Sequence, residues 1–556
     1  MSVKDRKWWR NGVVYQIYPR SFCDSNGDGI GDIPGIISKL DYLKELGVDI
    51  IWLSPVYASP NCDNGYDISD YRAIHPDFGT MDDMEMLIRE AKIRDIRIIM
   101  DLVVNHTSDE HQWFKKAVEG DHKYKNYYIF KEGKNGKLPN NWGSFFGSDC
   151  WEKVPGEDNL YYLHLFDKKQ PDLNWHNPAV YDEVCNILRF WLDKGIAGFR
   201  CDVINVLYKN SLEDGKKKIA LTGLEYYHST EGNHDILRRL REDVLSKYDC
   251  FTVGETVLVD TKMAMDLCGS DRKELDMVFG FEHMECDQIG IKWFKTKYRP
   301  KRLIKALDRW QHDMEWNANY FENHDQPRSV SRFGNDDEYH DISCKMLAGL
   351  LLSLRGTPYI YEGQEIGMTN GDFKDLSEMQ DVESHTVDGT MKSLHFPDRL
   401  RDKLLKLTTR DNARTPMQWS GDVGAGFTKG TPWLKINANH AYINVEKQLK
   451  DDDSVLAFYK KMIAFRKDSE TLQWGEYERL KSPENVYAFR RYTDDKNTVV
   501  ICNMTAKKQP VWVQAVKTRE NSELVLKFSN YLSDEDKASS DLFSFRPFEF
   551  CVFEEE

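Results

Sequence analysis

Eight short runs of β-branched and aromatic residues recur along the chain, separated by amphipathic stretches, and this alternation restricts the fold more than any other feature. The runs are Val13–Tyr18, Val48–Leu53, Ile96–Val104, Ile196–Asp202, Phe251–Glu255, Leu275–Phe281, Asn319–Glu322 and Pro358–Tyr361. Between them, apolar residues at 37, 40, 43 and 46 predict a helix over Ile37–Leu46, and those at 84, 87, 88 and 91 predict one over Met84–Ala91. Eight strands alternating with helices predict an α/β fold, a (β/α)8 TIM barrel. A doubly wound sheet is the structural alternative, but no glycine-rich phosphate loop follows the first strand.

Two insertions interrupt the alternation. After the third strand, Thr107–Asp172 is rich in Gly, Asn, Trp and Tyr and is too long for a simple loop, which predicts a small inserted domain. After the eighth strand, Met368–Trp433 reads as irregular, and helical character returns at Ser454–Arg466. From about Asn485 the text turns to VYAFRRY, TVVICNM, VWVQAV and FEFCVF, the alternation of a C-terminal antiparallel β-sandwich domain. The expected domains are therefore 1–106 with 173–484 for the barrel, 107–172 for the insertion, and 485–556 for the terminal sheet domain.

Composition narrows the partners. Of 556 residues, 91 are acidic and 76 basic, and a net charge of −15 argues against nucleic acid or an anionic membrane. No apolar stretch approaches the roughly 18 residues of a transmembrane helix. The N-terminal text carries Lys4, Arg6, Lys7 and Arg10 without an apolar leader core. Its 11 cysteines form no CxxC pair, which fits reduced, buried thiols and a cytoplasmic location. Aromatic residues reach 12%, enough to raise sugars as ligands, although aromatics more often fill cores. A monomer or weak homo-oligomer is expected.

Several of the apolar runs end in polar clusters, and in a barrel those C-terminal ends are where chemistry sits. The clusters are Asp101-Leu-Val-Val-Asn105-His106, Arg200-Cys-Asp202, Gly254-Glu255 and Glu322-Asn-His324-Asp325. One such Asp reads as a turn cap, whereas four clusters would bury charge without a gain in stability. Arg200 and Asp202, two apart, share a face, so the guanidinium can keep the carboxylate ionised as a nucleophile requires. Glu255 follows the apolar Phe251-Thr-Val, a setting that raises its pKa toward that of a general acid. Two carboxylates tuned apart in this way are suited to cleaving a glycosidic bond. Asp325 supplies a third, and His106 and His324 can grip sugar hydroxyls.

These residues lie in long motifs: DLVVNHT at 101–107, QPDLNW at 170–175, GFRCDVIN at 198–205, VGET at 253–256 and ENHDQPR at 322–328. With them the chain resembles, over essentially its whole length, the α-glucosidases of the α-amylase superfamily (glycoside hydrolase family 13), and most closely the oligo-1,6-glucosidases. The resemblance implies a retaining mechanism with Asp202 as nucleophile, Glu255 as acid/base and Asp325 as transition-state stabiliser. It places His106, Arg200 and His324 around the non-reducing glucose, and Asp63 and Tyr66 of DNGYD at the terminal ring. It makes Arg414 of RDNARTPMQW the arginine closing the pocket, with Arg410 a nearby competitor. A pocket blocked at one end implies exo-action on small oligosaccharides, releasing glucose.

Two further features carry expectations. Asp24, Asn26, Asp28 and Asp32 space oxygen ligands as in the start of a calcium loop, with the Ile30 carbonyl at position seven, Gly29 at the turn and Gly35 where an EF-hand has glutamate. An Asx-rich turn without an ion is the bland alternative. The resemblance implies a structural Ca2+, with Mg2+ the other candidate, at Asp24, Asn26, Asp28, Ile30 and Asp32. Val203 directly follows Asp202, and a valine there goes in such relatives with α-1,6 preference, although a β-branched strand residue would need no such role. A methyl-sized difference biases specificity by only about 1–3 kcal/mol. Thr256-Val-Leu-Val259 departs from the family pattern and leaves the leaving-group site open to reshaping. Trehalose-6-phosphate hydrolase is an alternative that needs cations at that site, with Lys262, Lys273, Arg328 and Arg332 as candidates. Glucosidases acting mainly on sucrose or α-1,4-linked malto-oligosaccharides share the same mechanism. Non-catalytic transporter-subunit relatives are disfavoured, because they carry broken catalytic positions.

Overall fold

The computed structural model describes residues 7–218, 221–519, 522–532 and 541–556; Lys4 and Arg6 fall outside them. The chain forms two compact units, residues 1–51, 93–96 and 280–556, and residues 52–92 and 97–279. Eight parallel strands close a barrel: β1 (Val14–Ile17), β2 (Ile50–Leu53), β3 (Arg97–Leu102), β4 (Gly198–Cys201), β5 (Phe251–Glu255), β6 (Met277–Phe279), β7 (Ala318–Asn319) and β8 (Thr357–Tyr361). Each falls on or beside one of the eight apolar runs, and spatial neighbours are sequence neighbours. β1, β2, β4 and β8 are buried at every position, so no polar alternation marks them.

Register puts chemistry side by side in the second unit. On β4, Arg200 pairs with Asp101 of β3 on one side and Val253 of β5 on the other. β4 begins at Gly198, whose φ of +150° suits only glycine, and a Cβ there would lie 2.0 Å from the Phe251 carbonyl oxygen. Within the insertion, Phe130–Glu132, Leu160–Leu163 and Trp151–Lys153 form a three-stranded antiparallel sheet.

Three local expectations are corrected. The helix expected over Ile37–Leu46 is broken at Lys39 into Ile33–Ser38 and Leu40–Leu46, where the Ser38 hydroxyl donates back to the Gly35 carbonyl. The stretch Met368–Trp433 is not irregular throughout, since it contains the helices Val382–Ser393 and Asp398–Thr408. In the terminal sheet domain, VWVQAV is strand only to Trp512, and Val513–Val516 is one helical turn. The main sheet runs Glu476–Arg479, Val486–Tyr492, Asn497–Asn503, Phe550–Glu555, Leu524–Ser529, so its first strand precedes residue 485. A second sheet pairs Gln509–Trp512 with Leu542–Phe545, and Val499, Ile501, Val511, Phe543, Phe545 and Phe553 pack in the core they share.

In the first unit, two fully buried arginines secure the C-terminus of helix His340–Ser353, which leads into β8. Arg466 donates to the carbonyls of Leu352, Leu354 and Gly356. Arg491, from the terminal sheet, donates to those of Ser353, Leu472 and Gly475. Carbonyls at a helix C-terminus are the acceptors that welcome a cation. Among the described residues no helix is long and apolar enough to cross a membrane.

Gly198→Ala combines a disallowed φ with a backbone collision, and should cost at least about 2–3 kcal/mol. Thermal unfolding followed by circular dichroism should show an apparent midpoint lowered by at least about 5 °C; an unchanged midpoint would contradict this account of β4.

Candidate active site

One buried guanidinium organises the ends of β3, β4 and β5. Arg200 Nη1 lies 2.5 Å from both Asp101 Oδ1 and Asp202 Oδ1, and Nη2 lies 2.7 Å from Glu255 Oε2. Its plane is flanked by the rings of Trp52 and Tyr66, 5.4 and 5.5 Å from its central carbon. Trp52 Nε1 donates to the other Asp101 oxygen at 2.7 Å. One cation cannot neutralise three carboxylates, so the cluster holds on to protons. Burial pushes both Asp101 and Asp202 up to about 6, with Arg200 only partly opposing it. The neighbouring Glu255 carboxyl, held on the same guanidinium, favours the ionised form of Asp202.

Two expectations change here. Arg200 does not leave Asp202 an ordinary low-pKa carboxylate, because burial outweighs its attraction. Glu255 sits not in an apolar setting but on the same guanidinium as Asp202. Its backbone neighbour across the gap is Val203, whose N–H lies 3.4 Å from Glu255 Oε2.

The loops of this unit bring in the other expected residues. His106 Nε2 lies 3.1 Å from the Tyr66 carbonyl and Nδ1 3.2 Å from Asn105 Nδ2; burial pulls its pKa down to about 4, so the ring is neutral. Gln170 Nε2 donates to Asp63 Oδ2 and to the Tyr66 carbonyl, both at 3.3 Å, tying together Asp63, Tyr66 and His106. Behind them Asp67 accepts from the N–H groups of Cys62 and Asp63 and from Ser59, fixing the DNGYD turn. The Asn105 amide oxygen accepts from Lys209, which is buried against Asp172 at 2.6 Å.

The remaining residues form a second cluster in the other unit, beyond β7. Arg414 Nη2 lies 2.7 Å from Asp325 Oδ1, and its Nε donates to the His324 carbonyl. His324 Nε2 lies 3.3 Å from Asp325 Oδ2 and its ring stacks on Tyr18, while Gln16 Nε2 is 2.9 Å from Nδ1. Burial would raise the Asp325 carboxyl, but His324, Arg410, Arg414 and Lys292 together hold it far below the usual range. The two arginines divide the work. Arg414 holds Asp325, whereas Arg410 stands 3.6 Å from it and 2.8 Å from Asp381.

Val203 is not a strand residue. β4 ends at Cys201, and Val203 caps a short 3-10 helix with φ 35° and ψ 41°, a strained left-handed backbone for a β-branched side chain. It packs in an apolar cluster with Trp142, Leu165 and Tyr227, against which Phe145, Phe166 and Val257 lie. Of the cations considered for phosphate, Arg328 is fully buried on Glu322 and on the Glu362 and Ala413 carbonyls, and Arg332 is spent on Asp287. Lys262 and Lys273 are exposed.

At the Asp24–Asp32 loop the carboxylates are satisfied by N–H donors rather than left to repel. Asp24 accepts from the N–H groups of Asn26, Gly27 and Gly29 and from Thr428; Asn26 accepts from Asp28, Asp28 from Ile30, and Asp32 from Gly35 and Ser25. Among the described residues no three His, Cys, Asp or Glu side chains converge as metal ligands do. The donors are nonetheless all oxygen, with the Asn26 amide and Ile30 carbonyl among them, a set that fits Ca2+ or Mg2+ and no softer metal.

Trp52, Asp101, Gln170, Gln16 and Asp381 were not foreseen as site residues. Asp101 and Gln170 stand inside motifs already noticed, but nothing local marks Gln16 or Asp381, which reach the site through tertiary packing.

Comparison with known proteins agrees with this geometry. A family profile described as the alpha amylase catalytic domain matches residues 16–475. An oligo-1,6-glucosidase of Parageobacillus thermoglucosidasius is 48% identical, covering 99% of each chain. A trehalose-6-phosphate hydrolase of Bacillus subtilis (strain 168) is 44% identical over 90% of this chain and 91% of that one. A crystal structure of the Bacillus licheniformis trehalose-6-phosphate hydrolase superposes with a TM-score of 0.93 at 43% identity, covering 99% of this chain and all of that one. The barrel, the carboxylates at its strand ends and these full-length similarities together show that the chain belongs to the α-amylase family of glycoside hydrolases, family 13.

Proposed function

We propose that the protein is a retaining, exo-acting α-glucosidase that hydrolyses α-1,6-glucosidic bonds at the non-reducing end of isomaltose and isomalto-oligosaccharides. The pairing of Asp202 and Glu255 with the two terminal nitrogens of the one Arg200 guanidinium carries the mechanism. An inverting pair stands about 6.5–9.5 Å apart to admit a water, and carboxylates held on neighbouring nitrogens of a single guanidinium stand closer than that. Asp202 attacks the anomeric carbon as the Glu255 proton passes to the leaving oxygen, giving a glucosyl-Asp202 ester and a shortened sugar. Glu255, now ionised, takes a proton from water, whose oxygen opens the ester and restores both groups. Asp325, kept charged by His324, Arg410 and Arg414, stabilises the cationic sugar at the transition state. Asp63, Tyr66, His106, Arg200, His324 and Arg414 hold the terminal glucose. The α-1,6 preference rests on Val203 and on the oligo-1,6-glucosidase relatives. Cleavage of trehalose 6-phosphate is the second reading, supported by relatives of that name.

Initial glucose release from isomaltose, maltose, sucrose and trehalose 6-phosphate at equal concentration should be led by isomaltose, with α-glucose as the first product by proton NMR. Asp202→Asn should lower kcat by at least about 1,000-fold with the thermal midpoint retained. A near-normal rate in that variant, or β-glucose as first product, would overturn the mechanism.

Because the nucleophile must be ionised and burial raises Asp202 to about 6, kcat/KM should fall as pH drops through about 6, by about tenfold per unit below it. An acid limb near the ordinary carboxylate value of about 4 would show that Asp202 is not so shifted.

The Asp24–Asp32 loop is proposed to hold a structural Ca2+, with Mg2+ as substitute. Chelator treatment should lower the thermal midpoint by several degrees and Ca2+ should restore it, since an ion bound only to the folded state adds roughly 3 kcal/mol at 100-fold excess over its dissociation constant. Identical midpoints with chelator and with Ca2+ would leave the Asx-turn account in place.

A further inference from the structure

The ring of His106 is held from both of its nitrogens, and the chain of contacts behind it starts at a buried ammonium in the same unit. A backbone bridge pairs residue 106 with Asp172, and the Leu173 N–H donates to the Asn105 carbonyl. Lys209, beyond β4, is buried where it reaches both segments. Its Nζ lies 2.6 Å from Asp172 Oδ2 and donates to Asn105 Oδ1 at 2.8 Å and to the Leu207 carbonyl at 3.2 Å. An ammonium has three donors and no acceptor, so only the oxygen of the Asn105 amide can face it. The amide nitrogen is thereby turned to His106, 3.2 Å from Nδ1. A ring nitrogen that meets an N–H donor is the unprotonated one, and in a neutral imidazole the proton then sits on the other. That other nitrogen, Nε2, lies 3.1 Å from an acceptor, the Tyr66 carbonyl. Gln170 Nε2 is 3.2 Å from it as well, but its two hydrogens go to Asp63 Oδ2 and to the same carbonyl.

We propose that Lys209 is a positioning residue for the reaction: by turning the Asn105 amide it fixes His106 as the Nε2–H tautomer, with the donor on the side of Tyr66 and Asp63. The inference rests on the reading of His106, Tyr66 and Asp63 as residues that hold the terminal glucose. Burial pulls His106 down to about 4, so the ring has one proton to offer and its direction decides what the ring can bind. Asp172 and the Tyr66 carbonyl favour the imidazolium, Lys209 opposes it, and the Phe166 ring lies 5.2 Å from the imidazole centre. A proton on Nδ1 would point at the Asn105 amide hydrogens and would leave Nε2 facing a carbonyl with nothing to donate. Both contacts would then be lost inside a buried site, where an unmade hydrogen bond costs most. The lysine thus acts on the sugar through two other side chains, and what it transmits is the orientation of a donor.

The test uses Asn105→Asp, which keeps an oxygen for Lys209 and presents a second oxygen, an acceptor, to His106 Nδ1. Proton-detected 15N spectra of histidine-labelled protein, with His106 assigned by its loss in His106→Gln, should show the wild-type ring protonated on Nε2. In Asn105→Asp at alkaline pH the proton should move to Nδ1, and kcat/KM for p-nitrophenyl α-glucoside should fall at least about tenfold, the worth of one hydrogen bond. The loss relative to wild type should shrink as pH falls, because the new carboxylate raises the His106 pKa and an imidazolium is protonated on both nitrogens. A merely structural fault would lower the rate equally at every pH. Lys209→Met combined with Asp172→Asn removes the ammonium without stranding a buried carboxylate, and its His106 signal should divide between the two tautomers. Should either variant fail to fold by circular dichroism, the other decides. Wild-type His106 protonated on Nδ1, or a tautomer that moves without a change in rate, overturns the inference and leaves the glucosidase reading intact. A wild type that cleaves no α-glucoside overturns the reading itself.

Discussion

Arg200 is the charge on which the rest of the second unit depends. It is buried between two aromatic rings and meets three carboxyls from three adjacent strands, an arrangement available only because parallel register sets β3, β4 and β5 level with one another. A guanidinium suits this task where an ammonium would not, since its planar fork can serve several carboxyls at fixed angles. The shortage of positive charge matters as much as its presence. With one cation for three acids, burial rather than pairing sets the acidity of Asp101 and Asp202. The opposite regime holds at Asp325, where several cations surround one carboxylate and keep it charged. One barrel thus contains a proton-retaining acid cluster and a permanently ionised acid.

Much of this was legible from residue order, because strand ends in a barrel are marked by the switch from apolar run to polar cluster. Asp202, Glu255, His106 and Asp325 stand at such switches, and each of the eight strands falls on or beside an apolar run. The electrical setting of those residues was not legible. That Arg200 reaches Glu255 as well as Asp202 depends on inter-strand register, which no spacing within one strand encodes. Lys39 breaks a helix whose apolar period runs straight through it, because a serine hydroxyl bonding back along the chain competes with the regular ladder. Helix Val382–Ser393 carries too little apolar periodicity to stand out, whereas Leu400, Leu404 and Leu407 of Asp398–Thr408 do recur at helical spacing within text that otherwise reads as irregular.

The similarities to oligo-1,6-glucosidases and to trehalose-6-phosphate hydrolases show how little of the scaffold is needed to change a substrate. In this chain the proposed α-1,6 preference rests on Val203, which is held in a left-handed conformation within an aromatic and aliphatic cluster beside the reacting carboxylates.

The arginines that secure helix His340–Ser353 have a consequence for the order in which the molecule can be made. The carbonyls just before β8 depend on Arg466 and Arg491, and Arg491 belongs to the terminal sheet. A growing chain that has synthesised all eight strands still lacks both of these donors. The carbonyl end of that helix completes its hydrogen bonds only once the terminal sheet has been made, which makes that sheet a late partner for the segment leading into β8.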